Sequence, residues 1–159
     1  MIIHADNYFL RNIEIDDAEE FFNMTHDDED VKKYVPSSYP TDMEDAYELI
    51  EIYSKSNFVN EFYFAIESFG KMVGVLVASK LRLQILEVSA IIFKPYRNKG
   101  IMTVVLKTFK EWLKNNTDYR VLNLVIRKDN LASLQQAKKC GAVLHNEDEE
   151  HCFFKIYLK

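Results

Sequence analysis

The sequence predicts an α/β fold: a mixed, mostly antiparallel sheet of six or seven strands with helices on both faces, formed by a single domain over residues 1–159. Three observations carry this reading. Apolar residues alternate with period two in several short runs, they recur every three or four residues in the stretches between some of them, and strand-like runs neighbour one another as well as flank helical ones. At 159 residues, 48% hydrophobic and 13% aromatic, the chain fills one core without reaching the size at which cores divide.

Each element has a local reason. NYFLRNI alternates as a first strand, and in DDAEEFFNMT the spacing of Asp16 and Glu19 reads as a capping box that opens a helix. HDDED reads as a charged break and VKKYVPSSYP as a loop closed by Pro36 and Pro40. Thr41 and Glu44 repeat the capping spacing ahead of Met43, Ala46, Tyr47, Ile50 and Tyr53, which share one helical face. FYFAIES and MVGVLVAS are β-rich runs joined by a turn at Phe69-Gly70-Lys71, and ILEVSAIIFK continues the antiparallel meander. After Gly100 the period changes: Met102, Val105, Leu106, Phe109, Trp112 and Leu113 mark a helix of about three turns whose lysines face outward. YRVLNLVIR is a fifth strand, Asp129 or Asn130 caps a short helix that Gly141 ends, and AVLHN and CFFKIYL close the sheet around the acidic turn NEDEE.

Composition excludes several classes. A formal net charge of −5 and a pI near 5.4 argue against a nucleic-acid partner, which leaves a basic footprint. No apolar run reaches the roughly 20 residues of a membrane span, so no membrane partner is expected. Cys140 and Cys152 are too few for a disulfide scaffold, and the N-terminus MIIHADNYFL lacks a signal-peptide layout, which points to free thiols and a cytoplasmic location. The four histidines have no paired spacing, so no metal site is expected.

KPYRNKGIM, residues 94–102, holds one of only four glycines, placed between a strand and a helix start. Consecutive backbone amides there, reinforced by the helix dipole, suit an anion, and Gly100 lets the backbone approach it. On these residues alone, an anion site and a plain turn are equally good readings.

Arg97-Asn98-Lys99-Gly100-Ile101-Met102 resembles the Q/R-x-x-G-x-G/A signature of the GNAT superfamily of acetyl-CoA-dependent N-acetyltransferases. Asn130-Leu131-Ala132-Ser133 with Gly141-Ala142 resembles that family's N-x-x-S…G-F segment, and FLRNIEIDDAEEFF resembles the start of the branch that acetylates ribosomal-protein N-termini (RimJ/RimL-like). The resemblance implies a sheet whose fourth and fifth predicted strands splay apart around acetyl-CoA. It implies that amides of Arg97, Asn98, Lys99, Gly100, Ile101, Met102 and Thr103 receive the pyrophosphate. Backbone groups of Ala90, Ile91 and Ile92 would pair with the pantetheine arm, with an N–H near Ile92 polarising the thioester carbonyl, and Asn130 would reach the cofactor from the fifth strand. Met102 departs from the signature's Gly or Ala. Ala137 stands where many relatives carry a tyrosine general acid, which leaves Ser133 to place a hydroxyl near sulfur or to serve only its own helix turn.

An ammonium must lose a proton before it attacks. Glu87, thirteen residues before Gly100, matches the acidic position of the family's A-E-x-G-Y stretch and interrupts an apolar strand. Alternation sets it on one face with Ser89 and Ile91, facing the cleft, where partial desolvation would raise its pKa into the range of a base. The other reading is a surface glutamate. HDDED and NEDEE carry four acids each and, in the family's fold, flank the acceptor entrance, which suggests a cationic acceptor: a protein N-terminus, polyamine or aminoglycoside. The other reading is that these are solvated charged loops, and Asp27 to Tyr34 also resembles a structural helix start in that family. Tyr34, Tyr39 and Phe58 are candidates for its lining, and Cys140 reads as packing rather than nucleophile. The expected activity is direct transfer of acetyl from acetyl-CoA to a primary amine by a monomer or homodimer. The alternative is a non-catalytic acyl-CoA-binding sensor or interaction module on the same fold.

Overall fold

The structure, a computed structural model, describes residues 1–158. Its strands are β1 (Ile2–Ala5), β2 (Tyr8–Asn12), β3 (Glu61–Ser68), β4 (Lys71–Arg82), β5 (Ile85–Ile92), β6 (Val121–Arg127), β7 (Val143–Glu147) and β8 (His151–Tyr157). The helices are α1 (Ala18–Thr25), α2 (Glu29–Tyr34), α3 (Met43–Ser54), α4 (Ile101–Asn116) and α5 (Leu131–Lys139). All eight strands form one sheet in the order β1-β2-β3-β4-β5-β6-β8-β7, antiparallel except for the β5–β6 pair. The α/β class, the meander and the helices on both faces are as the sequence predicts.

The eighth strand is β1, which turns through Asp6 in the left-handed region (φ 54°) to pair Ile2 with Arg11 and Ala5 with Tyr8. Four residues without a glycine turn gave no hairpin signal. Four further features differ. The capping box is Glu14 with Asp17, ahead of α1, and α3 is capped by Asp42, whose Oδ1 accepts from the Asp45 amide at 2.8 Å. The stretch read as break and loop contains α2, capped by Asp28, and α4 runs sixteen residues rather than three turns.

β3 explains how the layers are built. Phe62, Phe64 and Ile66 point to one face, where Phe109 and Leu113 of α4 pack on them, with ring centroids of Phe109 5.8 and 5.7 Å from Phe62 and Phe64. Tyr63 and Ala65 point to the other face, against Phe21, Ile50 and Tyr53 of α1 and α3. A strand covered on both sides has no polar face, which is why EFYFAIES is so uniformly apolar. On β4, Gly74 opposes Ile92, and a Cβ there would lie 2.3 Å from the Ile91 carbonyl oxygen. Only glycine permits this close approach.

The feature that positions the site is the β5–β6 pair. It holds for three rungs, Ile85 with Val121, Leu86 with Leu122 and Glu87 with Asn123. Beyond the third rung β5 stays on β4 and β6 stays on β8, so the sheet opens between them. These are the fourth and fifth predicted strands, and they splay as expected.

Candidate active site

β5 leaves the sheet at Phe93 and passes through a single turn, Lys94–Tyr96, into the start of α4. Asn98 and Gly100 both take left-handed backbone (φ 62° and 75°), and Gly100 is the helix N-cap. A Cβ at Gly100 would meet nothing within 4 Å, so the glycine is required by its dihedral and not by a neighbour. Among the described residues, the amides of residues 98–103 donate to no protein acceptor, and intrahelical bonding resumes with Val104 to the Gly100 carbonyl. Six consecutive free N–H groups at a helix N-terminus concentrate positive potential on one small volume.

The Arg97 amide is not part of this set. It donates to the Lys94 carbonyl at 3.3 Å. The Arg97 side chain turns away as well: Nε donates to the Ile92 carbonyl at 2.8 Å, and the guanidinium pairs with Asp28, which is almost fully buried, and with Asp30 at 3.4 Å. Arg97 therefore ties α2 to the loop, and the amide contribution expected of it is taken by Lys94.

A cleft of about 440 Å³ lies over the free amides, and all twelve residues expected to contact a cofactor line it, from Ala90 on β5 to Asn130 and Ser133 at the start of α5. Asp30, Val31, Tyr34 and Val35 of α2 and its C-terminal end form another wall. The cleft continues into a slot of about 120 Å³ between the parted strands, bounded by Ser89, Val125 and Tyr34 toward one face of the sheet and by Leu106 and Ala137 toward the other. The slot thus passes through the sheet. Because the Phe93 amide bonds to Val73 on β4, alternation directs Ile91 to β4 and turns the backbone groups of Ala90 and Ile92 toward the gap. Of the three residues expected to present backbone groups, Ile91 does not, and the Ile92 carbonyl is already held by Arg97, leaving its N–H.

The remaining candidates separate. Ser133 is half-buried, its amide donates to the Asn130 side-chain oxygen at 3.3 Å, and its hydroxyl bonds no protein group among the described residues. Asn130 spends that oxygen on capping α5 and keeps its NH₂ for the cleft. Met102 packs its side chain on the core beneath α4, which leaves the amide side open. Ala137 does line the slot, without a hydroxyl. Glu87 shares a face with Ser89 and Ile91, but it is exposed and lines neither cavity; α1–α3 do not extend over it, so the expected desolvation is absent. Tyr34 lines both cavities, whereas Tyr39 packs on the second core and Phe58 packs edge-on against Phe62 and tilted against Phe64 in the first. Cys140 is buried, and burial pushes its thiol pKa up, away from a nucleophile.

α2 lies where the residue pattern reads as break and loop and where the family resemblance marks a helix start over Asp27 to Tyr34. One end is held by Arg97. At the other, Lys33 pairs with Asp129 at 3.0 Å and the Tyr34 hydroxyl donates to the Asp129 carbonyl at 3.4 Å. α2 therefore bridges the two lips of the cleft. Asp129 also receives Arg127 at 3.1 Å, and these hydrogen bonds from Arg127 and Lys33 hold its carboxyl down at about 2. The same pairings consume much of the acidic charge: Asp28 and Asp30 face Arg97, Glu147 faces Lys128 and Glu150 faces Arg127.

A mixed sheet that opens around a helix N-terminus with unpaired amides defines the acetyltransferase class of fold and site. The acetyltransferase (GNAT) domain family profile matches residues 7–143, and the chain belongs to that family. No curated protein matches the sequence. Among solved structures it is similar to a GNAT-family acetyltransferase from Bacillus anthracis, at 18% identity over 99% of each chain with a TM-score of 0.88. It also resembles the ribosomal-protein-S5-alanine acetyltransferase from Vibrio fischeri, at 16% identity over 99% and 96% of the chains and a TM-score of 0.79. A third likeness is to spermidine N-acetyltransferase from Vibrio cholerae in complex with CoA and spermine, at 16% identity, 96% of each chain and a TM-score of 0.80. Among the described residues, no helix is long and apolar enough to cross a membrane.

Proposed function

We propose that the protein transfers an acetyl group from acetyl-CoA to a primary amine by direct attack, without a covalent enzyme intermediate. The observation that carries this is the continuity of the cleft, over six amides unpartnered among the described residues, with the slot between β5 and β6. It leads an anion at one end to a gap open on both faces of the sheet at the other. Acetyl-CoA, when bound, supplies an acyl carbon activated as a thioester.

The chain's own groups divide the work. Amides of residues 98–103 hold the diphosphate, and the Asn130 NH₂ and the N–H groups of Ala90 and Ile92 orient what lies in the gap. Glu87, on the face away from α4, takes the proton that the acceptor ammonium must lose and passes it to solvent, with which it is in contact. The Ser133 hydroxyl donates toward sulfur as the C–N bond forms and the C–S bond breaks. The spermidine and ribosomal-protein enzymes it resembles act on amines of both small-molecule and protein type, which supports an amine acceptor of either kind. The reading as a non-catalytic acyl-CoA-binding module draws its support from the exposure of Glu87 and from Ala137.

Two measurements test the proposal. Acetyl-CoA should raise the melting temperature by the mass-action amount of a native-state ligand, and a panel of polyamines, aminoglycosides and short peptides should contain at least one that releases free CoA. No thermal shift removes both readings; a shift with no acceptor turned over selects the binding module. Glu87→Gln should lower turnover most at low pH and leave CoA affinity near wild type.

A further inference from the structure

Asn123 stands opposite Glu87 on the last rung before β5 and β6 part. Leu122 and Leu124 on either side of it pack into the core beneath α4, so its side chain lies on the other face, the same face as Glu87. Its side-chain carbonyl oxygen is buried and has no hydrogen-bond partner among the described residues. Lys155 is its neighbour on β8, and among the described residues it makes no hydrogen bond to that oxygen. A shielded carbonyl without a donor is uncommon in native proteins and calls for a reason. The slot through the sheet begins one residue further along both strands, at Val88 and Leu124.

We infer that the Asn123 side-chain oxygen and the Glu87 carboxylate together seat the nitrogen of the acceptor, making Asn123 a binding residue for the nucleophile. This deepens the proposed acetyl transfer and rests on it. Adjacent strands are about 4.8 Å apart, so two side chains on one rung reach a single nitrogen placed between them. Both groups accept hydrogen bonds, and neither oxygen donates one. A pair of acceptors matches a group with several N–H bonds: an ammonium offers three and the neutral primary amine two, whereas an alcohol or thiol offers one. The soft last torsion of asparagine lets its oxygen turn from its shielded position to meet a ligand in the slot. After Glu87 takes its proton, the neutral amine keeps one N–H on Asn123 and directs its lone pair along the slot toward the acyl carbon. Asn123 thereby fixes the direction of attack.

The test compares Asn123→Leu and Asn123→Asp with wild type, using the best amine from the acceptor panel. Asn123→Leu removes the acceptor oxygen and fills its place with carbon, so it should melt no lower than wild type and bind acetyl-CoA equally well. Its KM for the amine should rise by about tenfold or more, the scale of a lost hydrogen bond to a charged group. Asn123→Asp retains an oxygen acceptor and should restore the amine KM to within about threefold of wild type. A structural role would produce the reverse, a lower melting temperature with unchanged amine KM, and that result overturns the inference while leaving acetyl transfer intact. If wild type turns over no amine at all, the proposed function fails first and this inference fails with it.

Discussion

Removing the Arg97 side chain is the most informative single perturbation, because it acts on stability and on the site through one contact. Asp28 is 4% exposed, and after Arg97→Ala its carboxylate keeps only the Asp30 and Val31 amides, at 3.1 and 3.4 Å. Deleting one partner of a buried pair costs about 3–5 kcal/mol; the Arg97 side chain is 25% exposed, and water entering in its place reduces this to about 2–3 kcal/mol. The second bridge, to Asp30, adds little because that carboxylate is 66% exposed. For a chain of this length each kcal/mol moves the midpoint by about 2–4 °C, so a fall of about 5–10 °C is expected in a thermal melt followed by circular dichroism. Asp28→Asn should destabilise the wild type but cost little more in the Arg97→Ala background, since the buried charge it removes no longer has a partner. Acetyl-CoA affinity should fall as well, because α2 and the amide loop lose their tie. A midpoint within about 2 °C of wild type, or strictly additive effects of the two substitutions, would refute the assignment of Arg97 as the strut between α2 and the loop.

Three further outcomes follow from the geometry. Gly100→Ala meets no neighbour, so the fold should lose only the roughly 1–2 kcal/mol of a left-handed alanine, while CoA binding by calorimetry weakens about tenfold or more, because the new methyl and the strained dihedral both fall where the phosphates would lie. Gly74→Ala places a methyl 2.3 Å from the Ile91 carbonyl; the backbone of β5 must shift, with about 1–3 kcal/mol lost and a visible change in CoA affinity. Asp129 titrates at about 2 in the folded chain against an ordinary 3.8. A depressed acid stabilises the fold above its unfolded pKa and ceases to do so as pH falls through the folded one. The stability difference between wild type and Asp129→Asn should therefore be constant above about pH 5 and vanish toward pH 2, as read by denaturant titrations at stepped pH; a difference that persists at pH 2 would show that the contacts of Lys33 and Arg127 with the carboxylate are not what stabilises α2.

What was legible in the sequence was local. The loop at Gly100 could be read because a β-rich run, a lone glycine and a change of period all fall within a few residues, and each constrains its neighbours directly. The capping of α5 by Asn130 is of the same kind. Arg97 was legible as a position but not in its role, because its partner Asp28 lies 69 residues away in the chain and no local pattern links a cation to a distant carboxylate. α2 left only a family resemblance over Asp27 to Tyr34 because Val31 alone among its six residues is buried; a helix that contributes one core side chain has no periodicity to detect, and its place is set by ion pairs at its ends.

Glu87 and Asn123 mark where sequence reasoning stops for a physical reason. Alternation fixes which face a strand residue occupies, and for Glu87 it gave the correct one. What covers that face depends on how far α1–α3 extend across the sheet, which is a property of packing among distant segments. The partial burial expected of Glu87 is not found, because the side chain is exposed, and the base role proposed for it rests on its contact with solvent and its place on that face. Asn123 carries no such signal in sequence at all, because asparagine within a strand reads as a mild irregularity. Its meaning comes from two facts that exist only in three dimensions, an oxygen left without a donor and a rung at which two strands separate. The point at which β5 and β6 cease to pair fixes both where the slot opens, at Val88 and Leu124, and which two side chains, Glu87 and Asn123, share the last rung before it.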